Sequence, residues 1–490
     1  MRHRFEVQPS LNIIPIEKVP LPLKSRDELP PILAALQWIF THPVLNAAIF
    51  ALLERHLLAD KKRTGRTGMD LWHILVLGVV RLGLDADWDR LEHLANYDSL
   101  LRQMLGVAET PWAADAKRFH RQTLRDNVAL VDEALLQEIN ALVAAHGRAV
   151  FKKKFAAVPE PLALKADTYV LETDVHFPTD LNLLWDAARK CVALVEKFRD
   201  QFGYDLPGWR KSRDWHRRLK ALERAASKIV FGGGADKDQR VRAVVGDYLA
   251  AARDLSAKVR ESLLALCEQP LQQEHWEALA YFHGMLDKHL GLVERRLLRG
   301  QSIPAAEKVY SLFEPHTEWI AKGKVRPPVE LGHRLLVSTD QNELVHDYRV
   351  LDHQSDVDQT VPLADRLLAR YGEGAIASLS VDKGFSRAED RELIGLYIPQ
   401  VIMPKRGRQT ATETEAENAK PFVALRRQHS AVESDIHSLE HHGLARCLDV
   451  GWDGYGRYVG YGVLAYNLHV IGRELLTQER ARAETVRAAA

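Results

Sequence analysis

Apolar residues recur three and four apart through most of the first 150 residues, the spacing of one buried helical face. Ile32, Leu33, Leu36, Ile39 and Phe40 form one stripe, and Leu45, Ala48, Ile49, Leu52 and Leu53 continue it. Residues 69–82 predict a strongly apolar helix. Asp85-Ala86-Asp87-Trp88 opens another, with Leu91, Leu94 and Ala95 on its face, and a long helical pattern runs from 118 to 147. Residues 1–30, rich in proline, read as an extended arm. At residue 162 the period changes. Leu162 to Asp174 mixes apolar and β-branched residues with polar ones and follows Pro159 and Pro161, which predicts a strand. Helical spacing returns over 181–321, in patches at 183–198, 217–230, 239–267 and 275–298. Gly232-Gly233-Gly234 falls between two patches and reads as a helix–helix loop, because nothing places it between a strand and a helix with a following Lys-Ser/Thr.

Beyond residue 328 short strands alternate with helices. Residues 329–337 and 343–351 predict a hairpin around the polar turn Ser338-Thr339-Asp340-Gln341-Asn342. A helix follows at 363–371, a strand at 375–381, a helix at 387–396 and a strand at 397–404. Residues 405–418 read as a polar, mobile stretch. One long helix spans 420–442 and stops at Gly443, and an apolar helical tail covers 458–473. With residues 181–321 set aside as an insertion, this order predicts an α/β layer of the RNase H-like kind, a mixed sheet flanked by helices. The expected organisation is a helical N-terminal domain over 1–150, a catalytic domain built from 155–180 and 322–475, an all-helical insertion over 181–321, and a tail over 476–490.

Composition narrows this picture only slightly. A chain of 490 residues is too long for one core. Its formal net charge of +1 gives no global pull toward nucleic acid, so any such surface must come from local clusters. Two are present. Lys61-Lys62-Arg63-Thr64-Gly65-Arg66-Thr67-Gly68 is a basic loop between helices, which suits a helix-turn-helix-type DNA-binding module. A packing or dimerisation domain has the same periodicity. The second cluster, Trp209-Arg210-Lys211-Ser212-Arg213-Asp214-Trp215-His216-Arg217-Arg218-Leu219-Lys220, interleaves basic residues with aromatic rings and so suits DNA binding, with phosphate contacts by Arg210, Lys211, Arg213, Arg217 and Arg218 and base stacking by the rings. A solvated helix face with two packing tryptophans is the alternative. Cys191, Cys267 and Cys447 are far apart and odd in number, which argues for a reducing compartment and against a thiolate zinc site. No apolar signal core follows Met1, and the apolar run at 71–80 is too short to span a bilayer, so a cytoplasmic protein with no membrane role is expected.

The candidate chemistry lies in acids at strand ends. Asp167 sits on the first strand, Asp382 follows the strand at 375–381, and Glu433 lies on the long helix. Three carboxylates from three elements can hold two Mg²⁺ or Mn²⁺ ions about 4 Å apart, the arrangement that activates a water or 3′-hydroxyl for phosphoryl displacement. Oxygen ligands without thiolates favour these hard cations over zinc. His429, Glu433 and His437, four apart, share a helical face. Asp174, His176 and His437 are candidates to support the metal ligands.

These stretches resemble DDE transposases of bacterial insertion sequences, most closely the ISNCY group. Asp167-Thr168-Tyr169-Val170-Leu171-Glu172-Thr173-Asp174-Val175-His176-Phe177-Pro178-Thr179-Asp180 looks like that group's first-aspartate block, and Val381-Asp382-Lys383-Gly384-Phe385-Ser386 like its second. Ala431-Val432-Glu433-Ser434 through His442-Gly443-Leu444-Ala445-Arg446-Cys447 looks like the glutamate block. Glu314-Pro315-His316-Thr317-Glu318-Trp319-Ile320 with Val329-Glu330-Leu331-Gly332-His333 looks like the block before the hairpin. Gly65-Arg66-Thr67-Gly68-Met69 and Thr123-Leu124-Arg125-Asp126-Asn127 resemble the preceding helical domain.

The resemblance spans residues 60–475. It implies a metal-dependent enzyme that binds terminal inverted repeats, cuts them, and joins 3′ ends to target DNA, as a homodimer or larger, in the cytoplasm at the nucleoid. Many related transposases carry Tyr and Arg before the glutamate and a basic residue seven after it. Here those positions read Arg426, His429 and Glu440, so Lys383, His429 and Arg446 are the local candidates for contact with the DNA backbone. Three other readings fit the same residues: a structure-specific DNA nuclease, a catalytically idle DNA-binding regulator of the same fold, and a metallohydrolase built on His176, His333, His346 or His353.

Overall fold

Strand β1 (Leu162–Thr173) carries apolar residues on both faces, so it needs cover on both sides. The computed structural model describes residues 2–5, 13–59, 67–109, 117–151, 160–206, 208–269, 272–321 and 328–489. It is a mixed α/β structure that divides into two compact units, Met1–Asp174 with Ile320–Ala490, and Val175–Trp319. The basic residues 61–66, and 323–327 before the hairpin, lie outside the described residues.

The first unit is organised by a seven-stranded mixed sheet. Besides β1 its strands are β2 (Glu318–Ala321), β3 (Val329–Thr339), β4 (Val345–Leu351), β5 (Ile376–Val381), β6 (Gln400–Ile402) and β7 (Arg446–Cys447). The order is β2-β3-β1-β5-β6, with β4 on β3 and β7 on β1. β1 runs antiparallel to β3 and parallel to β5, and β6 is parallel to β5. One face of β1 (Leu162, Leu164, Ala166) joins Leu336, Leu363, Leu367 and Leu379 in a core beneath helix Thr360–Tyr371. The other face (Tyr169, Leu171) joins the N-terminal helices and the long helix Trp452–Ala489 in the largest core.

The N-terminal helices therefore share a core with the sheet instead of forming one of their own. The reason is geometric: helix Leu71–Gly83 is buried along its whole length and needs partners all round. One partner is the long helix, which approaches closely enough that a Cβ on Gly472 would stand 1.8 Å from the Pro31 carbonyl oxygen. That helix also continues into the expected tail as far as Ala489.

Four local features differ from the sequence reading. The pattern at 118–147 is two helices, Arg121–Val128 and Glu133–Gly147, the second capped by the Asp132 side chain. Residues 411–418 are helical, because Thr410 and Glu413 close a capping box. The long helix at 420–442 is broken at Ser430 into Lys420–His429 and Ala431–Leu439, followed by a wide turn over Glu440–Leu444. Strands β2 and β7 are too short to show a period.

The second unit is helical. Asp180–Phe202, Ser212–Val230, Lys237–Cys267 and Gln273–Val293 surround a core that includes Leu184, Phe198, Trp209, Leu219, Tyr248 and Leu255. Among the described residues, no single helix is long and apolar enough to cross a membrane.

Candidate active site

Two acids meet because of strand register. β1 and β5 are parallel, with Ala166 opposite Val381, so the next residues, Asp167 and Asp382, leave adjacent strands side by side. Glu433 arrives from the other direction. Helix Ala431–Leu439 buries Val432, Ile436 and Leu439 in the core that covers β1, and this leaves Glu433 exposed in its first turn.

The electrostatics register the crowding. Burial pushes the Asp167 carboxyl up to about 6, and the charges of Asp382, Asp356 and Glu433 add to the shift. The Thr168 amide opposes it by donating to Asp167 Oδ1 at 2.7 Å. Among the described residues, the charges that shift Asp167 are all carboxylates. Its oxygen-only neighbours form a donor set that fits a hard divalent ion, with Asp167, Asp382 and Glu433 as the residues that would hold it. Tighter groups, with ligand atoms all within 4.8 Å, occur elsewhere among the described residues.

This charge balance has a measurable sign. The unfolded carboxyl titrates near 3.8 and the folded one near 6, so the protonated form contributes stability below pH 4 that is lost as pH rises through 6. Asp167→Asn should therefore stabilise the metal-free protein at pH 7 by on the order of 2 kcal/mol, and change little at pH 4. Urea unfolding in chelator at the two pH values measures this, and a variant less stable than wild type at pH 7 would contradict it.

Asp356 is the acid the sequence reading missed. It lies in the polar loop after β4, where Thr168 Oγ1 donates to its Oδ1 at 3.1 Å and Arg334 approaches to 4.0 Å. Nothing in its local sequence distinguishes it from Asp352 or Asp358. Beneath the acids lies a second missed group. Lys165, on the same face of β1 as Asp167, contacts Asp435 at 3.1 Å. Thr339, the cross-strand partner of Lys165, donates to the same Asp435 oxygen at 2.5 Å. All three side chains are buried.

His429 is brought to the site. It is half-buried, burial lowers its pKa, and it feels the charges of Asp382, Lys165 and Glu433. Among the described residues its Nδ1 has no hydrogen-bond partner. Lys383 is exposed beside Asp382. The other named residues are engaged elsewhere. Arg446 is held by Glu172 at 2.8 Å and Asp174 at 3.8 Å, which accounts for part of the acidity at the end of β1. His437 contacts His441 at 3.1 Å, and His176 is fixed in the helical unit by Asp186 at 2.6 Å.

In the basic cluster, Trp209 points into the core and donates to Ser262 Oγ at 2.8 Å, and Trp215 packs against the same core. The Trp209 ring is therefore not free to stack on bases, Trp215 is half-buried, and Arg210, Lys211, Arg213, Arg217 and Arg218 are exposed. The buried histidines of the sheet have local partners: His333 lies 4.9 Å from the Trp452 ring, and His346 pairs with Asp340 at 3.0 Å. No protein-family model, curated protein or solved structure matches the chain.

Proposed function

We propose that the chain is a DDE-type DNA transposase whose sheet-bearing unit is an RNase H-like catalytic domain. The observation that carries this reading is the convergence on Asp167 of Asp382 and Glu433, both more than 200 residues downstream in sequence. The sheet supports it: a central strand antiparallel to the hairpin on one side and parallel to two strands on the other is the order expected of that fold.

The chain's own residues would act as follows. Asp167, Asp382 and Glu433 hold Mg²⁺ or Mn²⁺, which when bound supplies Lewis acidity for phosphoryl transfer. The Thr168 amide orients one Asp167 oxygen. His429, whose pKa burial lowers, brings an imidazole within the field of Asp382 and Glu433. Lys383, and on the helical unit Arg210, Lys211, Arg213, Arg217 and Arg218, offer exposed cations to DNA phosphates. The substrates are terminal inverted repeats and target DNA, and joining two ends calls for at least two copies of the chain.

The test is strand transfer. With Mg²⁺ or Mn²⁺ and a pre-cut end from the element's own termini, a free 3′-hydroxyl should become joined to target DNA. Cutting without joining would identify a nuclease instead, and binding without either would identify an idle regulator.

A further inference from the structure

A second cluster of ligating side chains lies in the sheet-bearing unit. It joins Glu28, which precedes helix Leu29–Thr41, to His442, in the turn Glu440–Leu444, and His469, on the long helix. One ligand atom from each lies within 4.8 Å of the other two. Both histidines are nearly buried, at 8% and 7% exposure, and their ring centroids are 4.5 Å apart. His469 Nε2 is 2.5 Å from Glu28 Oε2. His442 Nδ1 is 3.2 Å from the Gly83 carbonyl oxygen. That carbonyl can only accept, so in the neutral ring Nδ1 carries the proton and Nε2 the lone pair.

We propose that Glu28, His442 and His469 form a metal site separate from the acidic one, suited to a borderline ion of the Zn²⁺ class. Two imidazoles and one carboxylate are a donor set that zinc takes, whereas the oxygen-only set around Asp167 favours Mg²⁺. The Gly83 carbonyl does for His442 what outer-shell acceptors do for metal-bound histidines: it fixes the tautomer and the ring orientation. In the metal-free state His469 Nε2 and Glu28 Oε2 share a hydrogen bond. Binding would break it: the ring proton moves to Nδ1 and the Nε2 lone pair turns to the ion. Three protein ligands would leave a fourth position for water. A bound ion would tie the segment before the first helix to the long helix and to the turn that directly follows the helix bearing Glu433.

The full-length chain tests this after chelator treatment and dialysis. Zn²⁺ binding is measured by calorimetry and elemental analysis, and Co²⁺ by its visible absorption. The expected result is one Zn²⁺ per chain, kept when Asp167→Asn, Asp382→Asn and Glu433→Gln are combined to remove the acidic site. Co²⁺ should show tetrahedral absorption that Zn²⁺ displaces. His469→Gln should weaken Zn²⁺ by at least the 10- to 100-fold that loss of an outer-shell partner costs, about two orders of magnitude at the upper end. Glu28→Gln should do the same, and its partly exposed position keeps folding intact. Zinc that is lost in the triple variant, or undiminished in Glu28→Gln, overturns the proposal, as does a wild-type chain that binds none.

Discussion

Glu433→Gln should lower metal-dependent cleavage of end DNA by about three orders of magnitude or more, and Asp167→Asn and Asp382→Asn should each do the same. The size follows from what is lost. A carboxylate that holds a catalytic cation supports several kcal/mol of transition-state stabilisation, and about 4 kcal/mol is a thousandfold in rate. Affinity for the DNA should stay close to wild type, because phosphate contacts by Lys and Arg dominate binding and none of the three substitutions touches one. Single-turnover cleavage with saturating enzyme, alongside a mobility-shift measurement, separates the two effects. Near-wild-type cleavage by any one variant removes that residue from the metal-binding set. Asp356→Asn is the informative comparison. Asp356 contributes to the charge on Asp167 and is anchored by Thr168, so its loss should cost less than that of a triad member.

The largest effect on stability belongs to the pair beneath the site. Lys165→Ala should destabilise the sheet-bearing unit by about 3–5 kcal/mol, since it leaves the Asp435 carboxylate buried without its cation. Asp435→Ala should cost a similar amount by stranding the ammonium. Replacing both with apolar residues of matched size should recover most of the loss, because the desolvation cost of both charges disappears together. Chemical denaturation followed by tryptophan fluorescence measures all three. A single variant within about 1 kcal/mol of wild type would show the pair to be solvated. Activity should fall as well. Lys165 and Thr339 are opposite each other on β1 and β3, and both grip Asp435, two residues past Glu433 on the same helix. Loosening that grip frees the Glu433 helix from the sheet, so the double variant should regain stability without regaining the full cleavage rate.

Much of the sheet could be read along the chain because its strands carry local signals. β1 follows two prolines, the hairpin has a polar turn, and β5 ends on an aspartate. Helix Ala411–Asn418 was equally available through Thr410 and Glu413, but its polar surface hides the cap. The break at Ser430 was not available. Residues 420–442 are compatible with one helix throughout, and Ser430 itself keeps helical backbone angles. In the basic cluster, the density of Arg and Lys suggested stacking rings, while Trp209 answers to the core and to Ser262.

What the sequence determined by itself were elements and candidate acids: helical spacing before residue 150, the strand around Asp167, and Asp382 and Glu433 at element ends. Those depend on interactions a few residues apart, so period and local chemistry reveal them. The tertiary structure decided which acids meet. Asp356 beside Thr168, Lys165 with Asp435, and Glu28 with His442 and His469 join positions that are dozens to hundreds of residues apart. Each of these side chains looks locally like a solvated polar residue. Only parallel register, burial and the approach of the long helix give it a partner.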